Sequence, residues 1–287
     1  MAQRNESYPA KLLLFGEYSV LSGSQALAVP LKQYHGSWTK QNEHTKSSLL
    51  PFVDWLEERN IIHKELSARI ISDLENGLIF QSTIPQGYGI GSSGALVAAM
   101  YDRYFEEPDS IDHIQAEMAA METYFHGTSS GMDPLISYTQ KAVYKNETGQ
   151  YRLVDDPGWP TGFKIYLLDS GVGRETEPLV KLYKHKSLEP EFNDKIQKYF
   201  IPVVEHAIHF YLSGENKMLG ECLNMISQFQ RKYFSEMIPD HIKKIWDEFS
   251  MKDGVYMKLC GAGGGGYFMI IAADGHEELR ILGLVIV

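Results

Sequence analysis

The chain has 287 residues, and its 37 acidic residues outnumber its 27 lysines and arginines, which gives a net charge of −10 at pH 7. A chain this acidic is not a general nucleic-acid binder, because a phosphate backbone requires a basic face. Its two cysteines form neither a disulfide framework nor a cysteine-rich zinc site. No stretch approaches the roughly 20 apolar residues that span a bilayer. We therefore expect a cytoplasmic protein that binds a small molecule and neither nucleic acid nor membrane.

The first half of the chain mixes predicted strands and helices. Short apolar runs predict strands at 11–15, 27–31, 36–40, 67–72 and 78–84. Helical spacing predicts helices at 51–60, 92–104 and 111–124, the last with Ser110 as its N-cap. The runs 141–145 and 151–154 predict a β-hairpin.

The second half is mainly helical. Residues 155–162 are rich in proline and glycine and predict a boundary. Beyond them we expect strands at 163–168, 255–259 and 267–272, a helical region at 190–249 with breaks near Gly214 and Pro239, and a brief helix before Leu284. Strands that come first and helices that come later indicate an α+β chain, with one or two domains.

One loop carries a specific chemical signal. Residues 85–95 read PQGYGIGSSGA, between a predicted strand and a predicted helix. Three readings are open, namely a dinucleotide site, a triphosphate site, and a joint that only turns the chain. The pattern G-x-G-x-x-G at 89–94 fits the dinucleotide reading, but the region some 20 residues on begins another helix where the fingerprint requires a strand.

The triphosphate reading needs only backbone physics. No lysine follows the glycines, so the Walker A pattern is absent. Glycines still let the backbone approach a phosphate closely, and a helix that begins near Ser92 directs free N–H groups toward it. The hydroxyls of Ser92 and Ser93 are suited to phosphate oxygens or to Mg²⁺.

Three further clusters accompany the loop. Residues 9–23 read PAKLLLFGEYSVLSG, Glu122 precedes HGTSSGMDP at 126–134, and residues 258–266 read KLCGAGGGG. In this order and spacing, from Pro9 to about Ala272, the chain resembles the GHMP kinase superfamily, named for galactokinase, homoserine kinase, mevalonate kinase and phosphomevalonate kinase. Three motifs in the family's order are far more specific than any one glycine loop.

The resemblance implies roles for individual residues. It implies that Asp133 is the catalytic base and that Lys11 lies beside it, and that Ser93 and Glu122 bind Mg²⁺. Residues expected to bind ATP are Pro85, Gly87, Tyr88, Gly89, Ile90, Gly91, Ser92, Ser93, Gly94, Gly263 and Gly264. Residues expected near the phosphate acceptor are Glu17, Tyr18, Ser130, Gly131, Gly261 and Ala262.

Each key residue also has an ordinary structural reading when it is taken alone. Asp133 before a proline is suited to cap a helix, Glu122 on an amphipathic helix usually faces solvent, and Lys11 beside an apolar run can extend to the surface. His126 is more often a hydrogen-bonding loop residue than a catalyst. The joint pattern favours the functional reading for Lys11, Ser93, Glu122 and Asp133, but adds little for His126.

The identity of the acceptor is open within the family. The stretch 126–133 and the segment 168–180 are similar to mevalonate kinases, which implies transfer of the γ-phosphate of ATP to a hydroxyl of mevalonate. Tyr18 and Gly94 depart from that pattern, since mevalonate kinases usually have histidine and alanine there, and both residues are similar to phosphomevalonate kinases. Two further alternatives are open: another kinase of the family, which acts on a sugar or on homoserine, and a protein of this fold that binds its ligand without turnover.

The resemblance also implies a fold. It predicts an N-terminal α/β domain of the ribosomal protein S5 domain 2-like type at 1–155 and a C-terminal ferredoxin-like α+β domain at 156–287. The expected cofactors are ATP and Mg²⁺, and the expected state is a monomer or a homodimer.

Overall fold

The computed structural model describes residues 5–41, 47–106, 110–159, 161–173, 176–276, 279 and 284–285. The chain forms two compact units, each assembled from segments that are separate in sequence. The first unit takes the described residues of 1–11, 30–85 and 91–143, and the second takes those of 12–29, 86–90 and 144–287. These interleaved units do not test a division into 1–155 and 156–287, which stays a prediction.

The strands and helices account for most of the described chain. The strands are β1 (Tyr8–Phe15), β2 (Ala26–Lys40), β3 (Leu78–Ser82), β4 (Ala142–Lys145), β5 (Tyr151–Val154), β6 (Phe163–Asp169), β7 (Val255–Leu259), β8 (Tyr267–Ala273) and β9 (Leu284–Val285). The helices are α1 (Leu50–Glu58), α2 (Lys64–Glu75), α3 (Ser92–Tyr104), α4 (Ile111–His126), α5 (Met132–Thr139), α6 (Thr176–Lys186), α7 (Pro190–Lys195), α8 (Ile201–Ser213), α9 (Asn216–Tyr233) and α10 (Asp240–Ser250).

The strands form two sheets. In one sheet the order is β1-β2-β4-β5, with β3 paired to β2, and in the other it is β7-β8-β6-β9. Strands β2 and β3 are antiparallel, with Gly36 opposite Ser82 and Lys40 opposite Leu78. A side chain at Gly36 would overlap the ring of Phe80, so the glycine leaves room for this aromatic residue on the neighbouring strand.

In the first unit, helix α3 packs against α4 and α5. Small residues make this close packing possible, since Ala95, Ala98 and Ala99 of α3 are fully buried. At Gly94 the approach is closest, because a Cβ built there would lie 2.8 Å from Cβ of Asp133 and 2.9 Å from the nitrogen of Pro134. The start of α3 and the start of α5 are therefore held together at a position that has no room for a methyl group.

In the second unit, helices α9 and α10 pack on strand β7. Strand β8 pairs antiparallel with both β6 and β7, and its residues Tyr267 to Ala272 are all buried. Trp246 of α10 is 1% exposed, and its indole N–H donates to the Ser227 hydroxyl of α9 at 2.9 Å. A continuous apolar strand covered by amphipathic helices forms the core of this unit.

Most of the predicted elements are confirmed. The helix at 92–104 and the strand at 255–259 have the predicted bounds, and Ser110 accepts a hydrogen bond from the backbone of His113 as an N-cap. The strands expected at 27–31 and 36–40 form one strand, β2. The brief helix expected before Leu284 lies largely outside the described residues.

The strand predicted at 67–72 is wrong, because these residues lie in helix α2. The buried residues of this helix are Ser67, Ile70 and Leu74, which have helical spacing, and the His63 side chain accepts a hydrogen bond from the backbone N–H of Leu66. The paired isoleucines favour a strand locally, but burial of one helical face and the N-terminal cap outweigh that preference.

Every helix within the described ranges is too short or too polar to cross a membrane.

Gly94→Ala tests the close packing of α3 on α5. We expect it to lower the free energy of unfolding by about 1–3 kcal/mol, because the new methyl group would force the two helices apart. Gly220→Ala in α9 is the matched control, since its Cβ would meet neighbours no closer than 3.6 Å. The control should gain about 0.5–1 kcal/mol from helix propensity, and denaturant unfolding of both variants measures the contrast. Equal effects at the two sites would contradict this account.

Candidate active site

A lysine and an aspartate form an ion pair in the first unit. Lys11 lies on β1 and Asp133 in the first turn of α5, and the Lys11 Nζ is 3.1 Å from the Asp133 Oδ1. The lysine side chain is only 9% exposed, whereas the aspartate side chain is 31% exposed. The pair therefore presents a solvent-accessible carboxylate that is backed by a buried positive charge.

The local sequence explains why Asp133 lies at this helix start. Gly131 precedes α5 with a φ of 68°, a left-handed conformation that glycine adopts without strain. The turn is fixed by the backbone N–H of Gly131, which donates to the Ser129 hydroxyl at 2.9 Å. A carboxylate in the first turn of a helix is stabilised by the free N–H groups and by the helix dipole.

A second carboxylate lies beside this pair and is deeply buried. Glu122 of α4 is 4% exposed. The Ser93 hydroxyl donates to its Oε1 at 3.0 Å, and the Ser129 hydroxyl donates to its Oε2 at 2.5 Å. Both carboxylate oxygens therefore accept hydrogen bonds from serines.

The environment of Glu122 disfavours its ionised form. Burial, and then the charge of Asp133, raise the pKa of this carboxyl from 4.5 to about 7, although the hydrogen bonds from Ser129 and Ser93 and the charge of Lys11 oppose the shift. A buried carboxylate whose surroundings supply too little positive charge is suited to bind a cation.

The donor set at Ser93 and Glu122 fits Mg²⁺. A hydroxyl and a carboxylate are the oxygen donors that this hard cation prefers, and Mg²⁺ bound with a nucleotide needs only one or two protein carboxylates. Across the described ranges, no group of three or more histidine, cysteine, aspartate or glutamate residues could hold a metal ion. The site is thus suited to a metal that arrives with phosphate ligands rather than to a cage made only of protein.

The glycine-rich loop leads directly into α3. Gly87, Gly89 and Gly91 have φ values of 77°, 74° and 81°, so alternate residues of the loop adopt the left-handed conformation. Gly91 is the N-cap of α3 and supplies no side-chain cap to the first turn. A Cβ at Gly91 would lie 2.9 Å from Cγ of Lys11. This uncapped helix start behind a glycine loop has the features of an anion site.

The part of the loop in the second unit packs on the glycine-rich stretch 258–266. A Cβ at Gly266 would lie 2.6 Å from Cα of Tyr88, so glycine is required for this approach. The rings of Tyr88 and Tyr267 make an edge contact at 4.9 Å, and the Tyr88 hydroxyl donates to Asp169 at 3.4 Å.

Within the second unit, residues 17–18 of the stretch 9–23 contact the glycine-rich stretch 258–266. The ammonium group of Lys258 pairs with the Glu17 carboxylate, both side chains are 2% exposed, and Lys258 also donates to the backbone oxygen of Leu259 at 2.8 Å. The Tyr18 hydroxyl donates to the backbone oxygen of Ala262 at 2.5 Å. Tyr18 has a φ of 62°, an uncommon conformation for a bulky residue, and is held there by a stacked contact with Tyr183.

The ligand-binding roles of the remaining predicted residues stay predictions. Pro85 and Ser92 lie in the loop 85–95, and Gly261 has a φ of 114°. The Ser130 hydroxyl accepts from the N–H of Met132 at 3.3 Å. The backbone of Gly263 and Gly264 lies against Met237, with the Gly264 N–H donating to its oxygen at 2.6 Å, and Ile90 is buried.

Three residues at these clusters were not assigned a role from the sequence. Ser129 hydrogen-bonds Glu122, Lys258 pairs with Glu17, and the His126 Nε2 lies 2.8 Å from the Ser93 hydroxyl. The predicted helix ends at 124, but α4 continues to His126; the four-residue spacing of Glu122 and His126 is a signal that would place the histidine beside the glutamate once the helix is extended by two residues. The pairing of Glu17 and Lys258 has no comparable signal, since it joins two distant motifs.

Comparison with known proteins shows one domain match and the fold. Residues 60–141 match the family model described as GHMP kinases N terminal domain. The chain superimposes on the crystal structure of L. major mevalonate kinase in complex with R-mevalonate with a TM-score of 0.64 at 16% identity, covering 98% of this chain and 90% of that one. The chain therefore contains a GHMP kinase N-terminal domain and has the GHMP kinase fold, as its motifs predict.

The chain is similar in sequence to curated mevalonate kinases and similar in structure to a phosphomevalonate kinase. The mevalonate kinase of Aeropyrum pernix is 23% identical over 95% of this chain and 89% of its own length. The structure of Streptococcus pneumoniae phosphomevalonate kinase in complex with phosphomevalonate and AMPPNP is also similar, with a TM-score of 0.65 at 13% identity, covering 94% of this chain and 92% of that one.

Glu122→Gln tests the burial of the carboxylate in metal-free protein. The folded pKa of about 7 exceeds the ordinary 4.5, so between these values the folded state binds more protons than the unfolded state. The wild-type free energy of unfolding should therefore fall as pH rises through this window, by on the order of 3 kcal/mol relative to the variant.

Denaturant unfolding in EDTA between pH 4.5 and 7.5 measures this slope. Glu65→Gln, at a side chain that is 86% exposed, is the control and should keep the wild-type slope. An unchanged slope in Glu122→Gln would show that this carboxyl is not the group responsible.

Lys258→Met tests the buried ion pair. We expect a loss of about 3–5 kcal/mol in the free energy of unfolding, because Glu17 would stay buried without its cation. The double variant Glu17→Gln/Lys258→Met should be considerably more stable than the sum of the two single losses predicts. Additive losses in this double-mutant cycle, measured by denaturant unfolding, would contradict the coupling.

Proposed function

We propose that the chain is an ATP- and Mg²⁺-dependent kinase that transfers the γ-phosphate of ATP to a hydroxyl of mevalonate. The observation that carries the proposal is the Lys11–Asp133 pair at 3.1 Å beside the buried Glu122 and Ser93. The GHMP kinase N-terminal domain at 60–141 and the mevalonate kinases among the curated relatives support the reaction class and the acceptor.

Asp133 acts as the general base in this proposal. Its exposed carboxylate orients the acceptor hydroxyl and takes its proton, and the resulting oxygen forms the new bond to the γ-phosphorus while the bond to ADP breaks. The Lys11 ammonium group offsets the negative charge that develops around the transferred phosphoryl group. Phosphoryl transfer depends mainly on positioning and charge, which are the properties that this ion pair supplies.

Ser93, Glu122 and the start of α3 hold the nucleotide end. Backbone N–H groups at the start of α3 bind phosphate oxygens, and Gly91 allows the backbone to lie close to them. Ser93 and Glu122 would hold Mg²⁺, which neutralises phosphate charge when it is bound. Ionised Glu122 then gains the positive partner that the protein alone supplies incompletely.

The contacts within the chain weaken the phosphomevalonate kinase alternative. Two residues favour it, and each has a local structural reason. Gly94 is required because α5 lies too close for a methyl group. The Tyr18 hydroxyl donates a hydrogen bond to the backbone oxygen of Ala262, and the Tyr18 ring stacks on Tyr183. Neither residue therefore needs a phosphorylated acceptor to account for it.

Asp133→Asn tests the proposed base. The amide keeps the shape of the side chain but cannot accept the proton, so kcat should fall by roughly 10²–10⁴-fold. Binding of ATP, followed by calorimetry, should change little because the phosphate cradle is intact. Asp112→Asn is the control and should retain activity, since Asp112 lies in the same unit, in the first turn of α4. Unchanged turnover in Asp133→Asn would show that Asp133 is not the base.

A coupled ADP-release assay identifies the acceptor. With ATP and Mg²⁺ we expect turnover of mevalonate, and none of phosphomevalonate, homoserine or galactose at the same concentration. Turnover of phosphomevalonate alone would show that Tyr18 and Gly94 mark the acceptor after all. Binding of ATP without turnover of any acceptor would favour a protein that binds its ligand without catalysis.

A further inference from the structure

His126 begins the stretch 126–134, and the proposed reaction assigns no role to this histidine. It is the last residue of α4 and lies one helical turn after Glu122, so the two side chains share a face of the helix. Its Nε2 is 2.8 Å from the Ser93 hydroxyl, while the same hydroxyl is 3.0 Å from the Glu122 Oε1. Ser93 therefore lies between two side chains of α4.

The hydrogen-bonding capacity of Ser93 determines the direction of each bond. A serine hydroxyl has one proton and two lone pairs. The Ser93 hydroxyl donates its proton to the Glu122 Oε1, so the second bond requires an N–H on the His126 Nε2. One lone pair of Ser93 then remains for another partner.

We propose that His126 is a positioning residue, whose Nε2–H holds the Ser93 hydroxyl in the orientation that presents its remaining lone pair to the Mg²⁺ of the bound nucleotide. This inference rests on the proposed function, because it takes Ser93 and Glu122 as the metal-binding residues. Without the imidazole, the hydroxyl can rotate among its staggered rotamers, and part of the metal affinity is lost to ordering it again.

The effect should appear in metal binding rather than in nucleotide binding. Removing a hydrogen-bond partner of a metal ligand commonly lowers metal affinity by roughly 10–100-fold. The experiment is calorimetric titration of the full chain with a non-hydrolysable ATP analogue, once in EDTA and once in Mg²⁺. His126→Ala should weaken binding of the Mg²⁺ complex by about 10-fold or more and leave the metal-free affinity unchanged.

Two variants serve as comparisons. His126→Gln retains a side-chain N–H and should recover a large part of the lost affinity. His113→Ala is the matched control, because this histidine lies on the same helix, is 61% exposed and pairs with Glu117; it should behave as wild type. In turnover assays, His126→Ala should need more Mg²⁺ for half-maximal rate and should regain most of the wild-type kcat at saturating Mg²⁺.

Each other outcome overturns the inference. Wild-type metal dependence in His126→Ala, or equal losses with and without Mg²⁺ in both His126 variants, would show that the histidine has no positioning role. If the wild-type chain turns over mevalonate and His126→Ala shows the wild-type Mg²⁺ dependence, only this inference is overturned and the proposed function stands. A wild-type chain whose nucleotide affinity and turnover do not respond to Mg²⁺ removes the proposed metal site, and the inference with it.

Discussion

The first unit is organised around two carboxylates held close together with little compensating charge. Glu122 is buried, and the charge of Asp133 is one of the two influences that raise its pKa. Lys11 pairs with Asp133, and the serines at 93 and 129 hydrogen-bond Glu122, yet burial still dominates. Stability alone does not favour this arrangement, because a buried carboxylate with too little positive charge beside it destabilises the folded state. It becomes favourable when further positive charge is present, which connects the energetics of the fold to nucleotide and metal binding.

The backbone geometry of the unit serves the same arrangement. Three helix ends supply Ser93, Glu122 and Asp133, since α3 begins at Ser92, α4 ends at His126 and α5 begins at Met132. Gly94 lets the starts of α3 and α5 touch, and Gly131 turns the chain into α5 with a positive φ. Because the groups stand on packed helices rather than on long loops, their separations are set by the core of the unit.

The sequence predicts the candidate site residues that belong to ordered motifs, and their roles in binding and catalysis stay predictions. Lys11, Ser93, Glu122 and Asp133 were selected by motif order, and the structure places the two pairs within 3.1 Å or less. Residues 67–72 were mispredicted because a short pair of isoleucines favours a strand, while burial of one helical face is a property of the whole fold. Lys258 could not be paired with Glu17, because no periodic pattern joins residues so far apart. The sequence assigns no role to His126, because a histidine in a loop has many ordinary uses, and only its distance to Ser93 distinguishes among them.

The pairing of Glu17 with Lys258 also bears on how the chain is made. The two residues are 241 positions apart, and at 5–20 residues per second a ribosome needs on the order of 10–50 s to pass from one to the other. All segments of the first unit emerge before residue 144, whereas residues 12–29 belong to a unit whose other parts are mostly still to be synthesised. Phe15, which is buried in the finished fold and packs its ring on Tyr211, can make this contact only after residue 211 has been synthesised. The ion pair between Glu17 and Lys258 likewise forms only when nearly the whole chain has been translated, although its first member is among the first residues made.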